Sequence, residues 1–229
     1  ELNNVVAKNI NVSNRSQDTG GLIGIMTYTN VQNVHIIGAN ISGTNRVGAL
    51  VGYVGYSNIK ESSSNGKVTA SGNAAGGFMG EVINGTTIEN SYSIGEVIGT
   101  QNVGGFIGNL NKSTIINCLS TVKVDGDESA AGFIGQSGNN SIVKNNISLG
   151  NQARNKYKFD GKTIQEQLGG YENNYEYAGN KGISTLTREG IDFAGKISVA
   201  NTENITSEEF YTNTLDWNKE IWDFSNISG

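Results

Sequence analysis

The strongest constraint on the fold is a five-residue motif, Gly/Ala-Gly/Ala-apolar-apolar-Gly, that returns at a nearly constant interval. Its five copies are residues 20–24, 48–52, 76–80, 104–108 and 131–135. The closing glycines are 28 residues apart three times and then 27 residues apart. A fixed period of this length is typical of repeat proteins, in which each unit buries its apolar side only against its neighbours. The chain is therefore predicted to be a solenoid.

The rest of each period predicts which solenoid this is. Residues 87–97, 114–120 and 143–150 repeat a pattern of apolar residues alternating with Asn and Ser, and residues 5–12 resemble the second half of an earlier period. About 28 residues then divide into three short strands joined by Gly, Asn and Ser turns, without a sustained helical period. We predict an all-β parallel β-helix of about six coils with a period of 27–29 residues, stacked about 4.8 Å apart.

Composition agrees with this fold. The chain contains 32 glycines, 32 asparagines and no proline in 229 residues. Glycine and asparagine both tolerate the positive φ angles of tight turns, and stacked asparagines can form side-chain ladders. The lack of proline suits a backbone whose N–H groups are committed to hydrogen bonds between coils.

Strand alternation assigns the two apolar positions of the motif to opposite faces of a strand. The first position predicts an inward row that forms the core: Leu22, Leu50, Phe78, Phe106 and Phe133. The second position predicts an outward row: Ile23, Val51, Met79, Ile107 and Ile134. Because an exposed apolar ladder needs a cover, either another part of this chain lies over the outward row, or the row is a docking surface for another domain or a partner.

The periodic pattern weakens near Gly150, and the composition changes there. Residues 151–229 hold both tryptophans and most tyrosines. We therefore divide the chain into a repeat β-helix, residues 1–150, and a final coil with a C-terminal cap, residues 151–229, packed on the same solenoid. Residues 161–182 are predicted to be an irregular excursion.

The C-terminal segment carries the signals of a cap. Residues 206–209, Thr-Ser-Glu-Glu, have the pattern of a capping box that opens a short helix through Phe210 and Tyr211. Solenoids need a terminal cap because the last coil exposes unpaired strand edges. We assign this role to four aromatic residues: Phe210, Trp217, Trp222 and Phe224. A carbohydrate or protein contact made by these aromatic residues is the alternative.

The sequence offers few residues for chemistry. His35 is the only histidine, which excludes a zinc motif with two histidines and most general-base mechanisms, so we interpret it as structural. Cys118 occupies the coil position of Ser91 and Asn146, which indicates a small buried side chain. No catalytic, cofactor or metal site is expected in this chain.

Charge and hydropathy limit the classes of partner. A net charge of −5 and a pI near 5.0 argue against nucleic acid. No run of 18 apolar residues exists, so no membrane insertion is expected, and no signal peptide is recognised. Asp125 and Asp127 lie in a predicted loop that could hold a calcium ion weakly or be a solvated turn. The glycine motifs lack the Lys-Ser/Thr of a phosphate loop.

The motif resembles the GLUG repeat, which is named for Gly-Leu-apolar-Gly. Residues 210–224 resemble the segment that closes this repeat array in immunoglobulin A1 proteases and related zinc metallopeptidases of Gram-positive cell surfaces. The resemblance implies a secreted, surface-associated parent protein with a role in virulence. It also implies that zinc and its H-E-x-x-H motif belong to a separate catalytic domain of that parent, since nothing in this chain matches that motif.

Three classes of function follow. The first, which the resemblance favours, is a non-catalytic module that spaces the protease domain and binds a protein substrate, such as immunoglobulin A1, or other domains of the parent. The second is an adhesin rod that binds host ligands. The third, a polysaccharide-degrading enzyme, needs carboxylates aligned in one cleft, whereas the acidic residues of the repeats fall at scattered coil positions: Glu61, Glu81, Glu89, Glu96 and Asp125.

Overall fold

A computed structural model describes residues 1–152 and 156–225. They form a parallel β-solenoid of about six turns, which confirms the predicted fold. The strands are, in chain order, β1 (Leu2–Lys8), β2 (Asn11–Ser13), β3 (Thr19–Gly20), β4 (Ile23–Thr27), β5 (Asn30–Gly43), β6 (Val47–Gly48), β7 (Val51–Gly55), β8 (Asn58–Lys60), β9 (Ser63–Ala70), β10 (Asn73–Gly76), β11 (Met79–Ile83), β12 (Thr87–Glu89), β13 (Tyr92–Gly104), β14 (Ile107–Asn111), β15 (Thr114–Ile116), β16 (Leu119–Ser120), β17 (Lys123–Ala131), β18 (Ile134–Ser137), β19 (Ile142–Lys144), β20 (Ile147–Ser148), β21 (Asp160–Lys162), β22 (Tyr171–Glu172), β23 (Asn174–Tyr177) and β24 (Ile197–Ala200).

Helical structure is confined to four short segments near the C-terminus of the described chain. They are the 3₁₀ turns Gln165–Gly170 and Thr185–Thr187, helix α1 (Thr202–Ile205) and a π-helical turn, Phe210–Thr214. The strands that follow successive glycine motifs form a six-stranded sheet in the order β21-β18-β14-β11-β7-β4, and the other strands form the second sheet.

Each glycine motif is the bend between these two sheets. In the fourth copy, β13 ends at Gly104, Gly105 and Phe106 form the bend, and β14 begins at Ile107. A Cβ on the closing glycine, Gly108, would lie 2.6 Å from a carbonyl oxygen and 2.7 Å from a carbonyl carbon of the preceding turn. Glycine is required there because backbone packs directly against backbone.

The phenylalanines of the motif stack inside the solenoid, as predicted. Ring centroids are 4.9 Å apart between Phe78 and Phe106 and 5.1 Å apart between Phe106 and Phe133. The stack continues to Phe159, 4.9 Å beyond Phe133. All four rings are completely buried.

The predicted outward row is wrong. Val51, Met79, Ile107 and Ile134 are completely buried in the same apolar cluster as the phenylalanines, and Ile23 in the first turn is partly buried. Strand alternation does not apply here, because the first apolar position lies in the bend and the second opens a strand of another sheet. The row is therefore part of the core and is not a docking surface of this chain.

Polar ladders replace backbone hydrogen bonds at one corner of the solenoid. Asn117 and its equivalents take positive φ angles, and in several turns the side chain of the next residue (Ser62, Ser91 or Asn146) accepts a hydrogen bond from a backbone N–H of the preceding turn. The N–H of Ser62 donates to Ser91 Oγ at 3.1 Å, and that of Cys118 donates to Asn146 Oδ1 at 2.8 Å. These side chains satisfy N–H groups that would otherwise be buried without a partner.

The solenoid continues beyond residue 150. Asp160 pairs with Ile134, Tyr171 with Val143, and Tyr175 with Ile147. Residues 161–182, which we expected to be irregular, thus contain strands in register with the preceding turn, with the 3₁₀ turn Gln165–Gly170 inserted between them. The motif is hidden in the sequence because its second apolar position is Asp160.

Candidate functional site

The C-terminal segment, residues 206–225, which we call the strap, packs on the outside of the solenoid. The Phe210 ring meets Tyr175 edge-on at 5.0 Å, and Trp217 stacks on Trp222 at 4.3 Å. The Trp217 indole N–H donates to the carbonyl of Asn145 at 2.9 Å. The strap is therefore held by aromatic packing and by a specific hydrogen bond to the solenoid backbone.

The strap differs from the predicted cap in its position. Strand pairing aligns Tyr92, Leu119, Ile147 and Tyr175 in one row across four turns, and the strap lies against this row. Of the predicted capping aromatics, Phe210 and Trp217 are buried, whereas Trp222 and Phe224 are partly buried. The segment covers the side of several turns. Other residues, between β23 and β24, pack in or against the apolar core of the solenoid: Leu186, Ile191 and Phe193.

The predicted capping box also lies elsewhere. Asn201 and Asn204 exchange side-chain-to-backbone hydrogen bonds of 2.9 Å around the start of α1. Thr206 follows the end of α1, where its hydroxyl donates to the carbonyl of Thr202 at 2.9 Å. A helical turn through Phe210 and Tyr211 does form, but its N-terminal residue, Glu209, makes no side-chain capping bond.

The row under the strap continues past the end of the strap, through the buried Ser63 and the partly buried His35 to the exposed Val6. Tyr92 pairs with Ser63, Ser63 with His35, and His35 with Val6. Three adjoining clefts of about 510, 460 and 360 Å³ follow this row and share Tyr92 as a lining residue. We call them together the trough.

Apolar side chains line two of the three clefts. One of them lies between Leu119, Trp222 and Phe224, and the other contains Val6 and Ile37, which are about half exposed. Ile94, which is 40% exposed, lines both, so the two apolar clefts adjoin at this residue and at Tyr92. The trough therefore combines apolar surface with the carboxylates of its third cleft.

The third cleft of the trough, which meets the two apolar clefts at Tyr92, is polar and acidic. His35 lies between Ser63 Oγ, 2.8 Å from Nδ1, and Asn33 Oδ1, 2.7 Å from Nε2, so it is a hydrogen-bonded structural residue at the wall. Glu61 accepts a hydrogen bond from Gln32 at 3.1 Å, and Glu220 of the strap lies across the same cleft.

Other carboxylates of the repeats are in ion pairs between adjacent turns. Glu81 faces Arg46 at 3.5 Å, and Glu89 faces Lys60 at 2.9 Å. Glu96 bridges two lysines, Lys67 at 3.1 Å and Lys123 at 2.9 Å, whose hydrogen bonds lower the pKa of its carboxyl. The carboxylates are thus distributed along the ladders, which disfavours a polysaccharide-cleaving site.

One buried carboxyl at the C-terminal end of the core is structural. Asp160 accepts hydrogen bonds from Tyr171 Oη at 2.7 Å and Thr163 Oγ1 at 2.8 Å, and Arg188 Nη1 is 3.5 Å away. Burial raises the pKa of Asp160, although Arg188 and these hydrogen bonds act to lower it. The Arg188 guanidinium packs over the Tyr157 ring. These hydrogen-bonded residues belong to the core, and the Asp160 carboxyl is not open to solvent, since Asp160 is completely buried.

The described residues contain no group of three or more His, Cys, Asp or Glu side chains that could hold a metal ion. At the predicted cation position, Asp125 and Asp127 lie on β17. The Lys156 ammonium donates to the carbonyl of Asp127 at 2.8 Å, and the predicted loop is thus part of a strand. Within the same residues, no helix is long and apolar enough to cross a membrane.

Cys118 is a small buried side chain, as predicted. It is completely buried, its Sγ lies 3.2 Å from the carbonyl of Ile116, and burial raises the pKa of its thiol. Because the thiolate is the reactive form, we expect no reaction of the native protein with dithionitrobenzoate and one equivalent of reaction in guanidinium. Fast labelling of the folded protein would contradict this burial.

Comparison with known proteins supports the repeat assignment. The family model of the GLUG motif matches residues 43–69. The fold is similar to the crystal structure of a protein from Bacteroides ovatus that is provisionally described as an immunoglobulin A1 protease, with a TM-score of 0.68 and 18% identity over 91% of this chain and 70% of that one. No curated protein matches in sequence. At this identity the likeness shows a shared fold.

Proposed function

We propose that this chain is a non-catalytic β-helical module of a secreted, cell-surface zinc metalloprotease of the immunoglobulin A1 protease type. It holds the catalytic domain at a distance and contributes a surface that binds a protein substrate, such as immunoglobulin A1, or another domain of the parent. The observation that carries the proposal is a GLUG solenoid that resembles the Bacteroides ovatus protein over 91% of the chain.

The geometry suits a spacer. Successive turns are separated by the 4.9–5.1 Å between stacked phenylalanines, so about six turns extend for about 25–30 Å. The buried ladders between turns make this rod stiff, because each turn is bonded to its neighbours along several strands. Zinc belongs, in this proposal, to a separate domain of the parent.

The proposal predicts a division of labour. The isolated chain should neither cleave immunoglobulin A1 nor retain stoichiometric zinc, while the full-length parent should cleave it and lose activity with a chelator. Deleting residues 1–225 from the parent should lower kcat/KM for the intact substrate about tenfold and leave a short peptide substrate unaffected, because only remote binding is removed. Cleavage and zinc content are measured on purified proteins.

Two results would reject this function. Chelator-sensitive proteolysis by the isolated chain would make it catalytic, and a full-length protein without any metal-dependent peptidase activity would remove the protease assignment.

The second candidate, an adhesin rod, is favoured by the open trough on the side of the solenoid. It predicts adhesion to host ligands by the full-length protein and no metal-dependent proteolysis by it.

A further inference from the structure

We propose that the trough binds an extended polypeptide segment that carries an arginine or lysine side chain between apolar ones. The inference rests on the proposed function in one respect, that the module has a protein partner, and it names the surface and the chemistry of that partner. It does not depend on the protease assignment, since the surface lies wholly within this chain.

The first argument is continuity with a surface that already binds polypeptide. The strap covers the row from Tyr175 to Tyr92 with aromatic side chains, and the same row continues beyond the strap to His35 and Val6. The apolar side chains of Ile37 and Ile94, which line the clefts beside this part of the row, are 43% and 40% exposed. An extended segment placed beyond the strap would therefore bury side chains as the strap does.

The second argument is charge. Among the described residues, neither Glu61 nor Glu220 is in an ion pair, and no lysine or arginine lines the cleft between them. Lys60, next to Glu61 in sequence, is committed to Glu89. A cation that entered this cleft would be attracted by two carboxylates that form no ion pair among the described residues.

The third argument concerns Trp222 and Tyr92, whose ring centroids are 6.1 Å apart at the wall of the cleft. Aromatic faces favour guanidinium and ammonium groups. The indole N–H of Trp222 is buried and has no hydrogen-bond partner in the described part of the chain. A peptide carbonyl admitted by a small shift of the strap would give this costly unpaired donor a partner.

The experiment measures fluorescence anisotropy with the isolated chain and a labelled ten-residue peptide, in which one central arginine is flanked by leucines among serines and threonines. A second peptide carries citrulline, which has nearly the same shape without the charge. We expect the arginine peptide to bind, and the citrulline peptide to bind about tenfold more weakly. Replacing both carboxylates, Glu61→Gln with Glu220→Gln, should weaken binding of the arginine peptide by about the same factor, as two surface ion pairs predict.

The matched control is Glu128→Gln with Glu203→Gln, which makes the same change in net charge outside the trough. This control should bind like the unchanged chain, and all variants should share its melting temperature. The proposal is overturned by undetectable binding of the arginine peptide, by equal affinity for the two peptides, or by equal losses in the trough and control variants. Binding of neutral oligosaccharides that is lost in the trough variant would also overturn it, in favour of a saccharide site.

Discussion

Phe106→Ala should lower the free energy of unfolding by about 3–5 kcal/mol, the usual cost of removing a buried phenylalanine. The Phe106 ring has no exposed surface and stacks between Phe78 and Phe133, at 4.9 Å and 5.1 Å. A rod with backbone ladders on every side cannot collapse easily around the resulting cavity. Urea denaturation followed by far-ultraviolet circular dichroism measures the change.

Two neighbours in the same turn serve as comparisons. Ile107→Ala should also be costly, by about 2–5 kcal/mol, because Ile107 is completely buried. Asn109→Ala should cost less than about 1 kcal/mol, since it removes one hydrogen bond, to Glu81 Oε1, at a partly exposed site. A stable Ile107 variant would restore the outward assignment of its row, and an unaffected Phe106 variant would contradict the stacked core.

The repeat itself could be predicted because its period is visible in the sequence. A period of about 28 residues places Phe78, Phe106 and Phe133 at the same position of successive turns, so that identical side chains stack on one another. The same reasoning correctly predicts that Cys118 is buried, since its counterparts in other turns are the small polar residues Ser91 and Asn146. No long-range information is needed for these predictions.

The direction of the second apolar position could not be predicted by alternation. Alternation assumes one continuous strand, but the bend at Gly105 and Phe106 separates two strands of different sheets. Ile107 therefore starts its own strand, and its orientation depends on how that strand packs. Asp160 has the same register position as Ile134 and is buried too, which a rule based on hydrophobicity misses.

The trough could not be predicted because it depends on contacts between distant residues. Trp217 bonds to Asn145, which is 72 residues earlier, and Trp222 meets Tyr92 from a still earlier turn. Sequence pattern indicates that such aromatic residues need a partner, but it does not say whether they cover an end or a side. The cleft between Glu61 and Glu220 exists only because the strap runs back along the solenoid.

Truncation before Thr206 should therefore destabilise several turns together. It removes the strap and exposes Ile147, Leu119 and Tyr175 on the outside of the solenoid. Each buried aromatic side chain contributes on the order of 2–3 kcal/mol, and Phe210 and Trp217 are 6% and 3% exposed. We expect aggregation or a large fall in melting temperature, measured by scanning calorimetry and by light scattering.

The exposed strap residue Lys219 provides the control. Among the described residues its ammonium pairs only with Glu208, at the surface, so Lys219→Ala should leave the melting temperature unchanged. Trp217→Phe separates aromatic packing from hydrogen bonding, because it keeps an aromatic ring over the row but loses the hydrogen bond to Asn145. Its fall in melting temperature should therefore lie between those of Lys219→Ala and the truncation.

If the truncated chain remains monomeric with an unchanged melting temperature, the strap contributes nothing to the stability of the solenoid. Its aromatic residues would then have to be explained by a partner that they bind, and the row from Tyr175 to Tyr92 would be an open surface in solution.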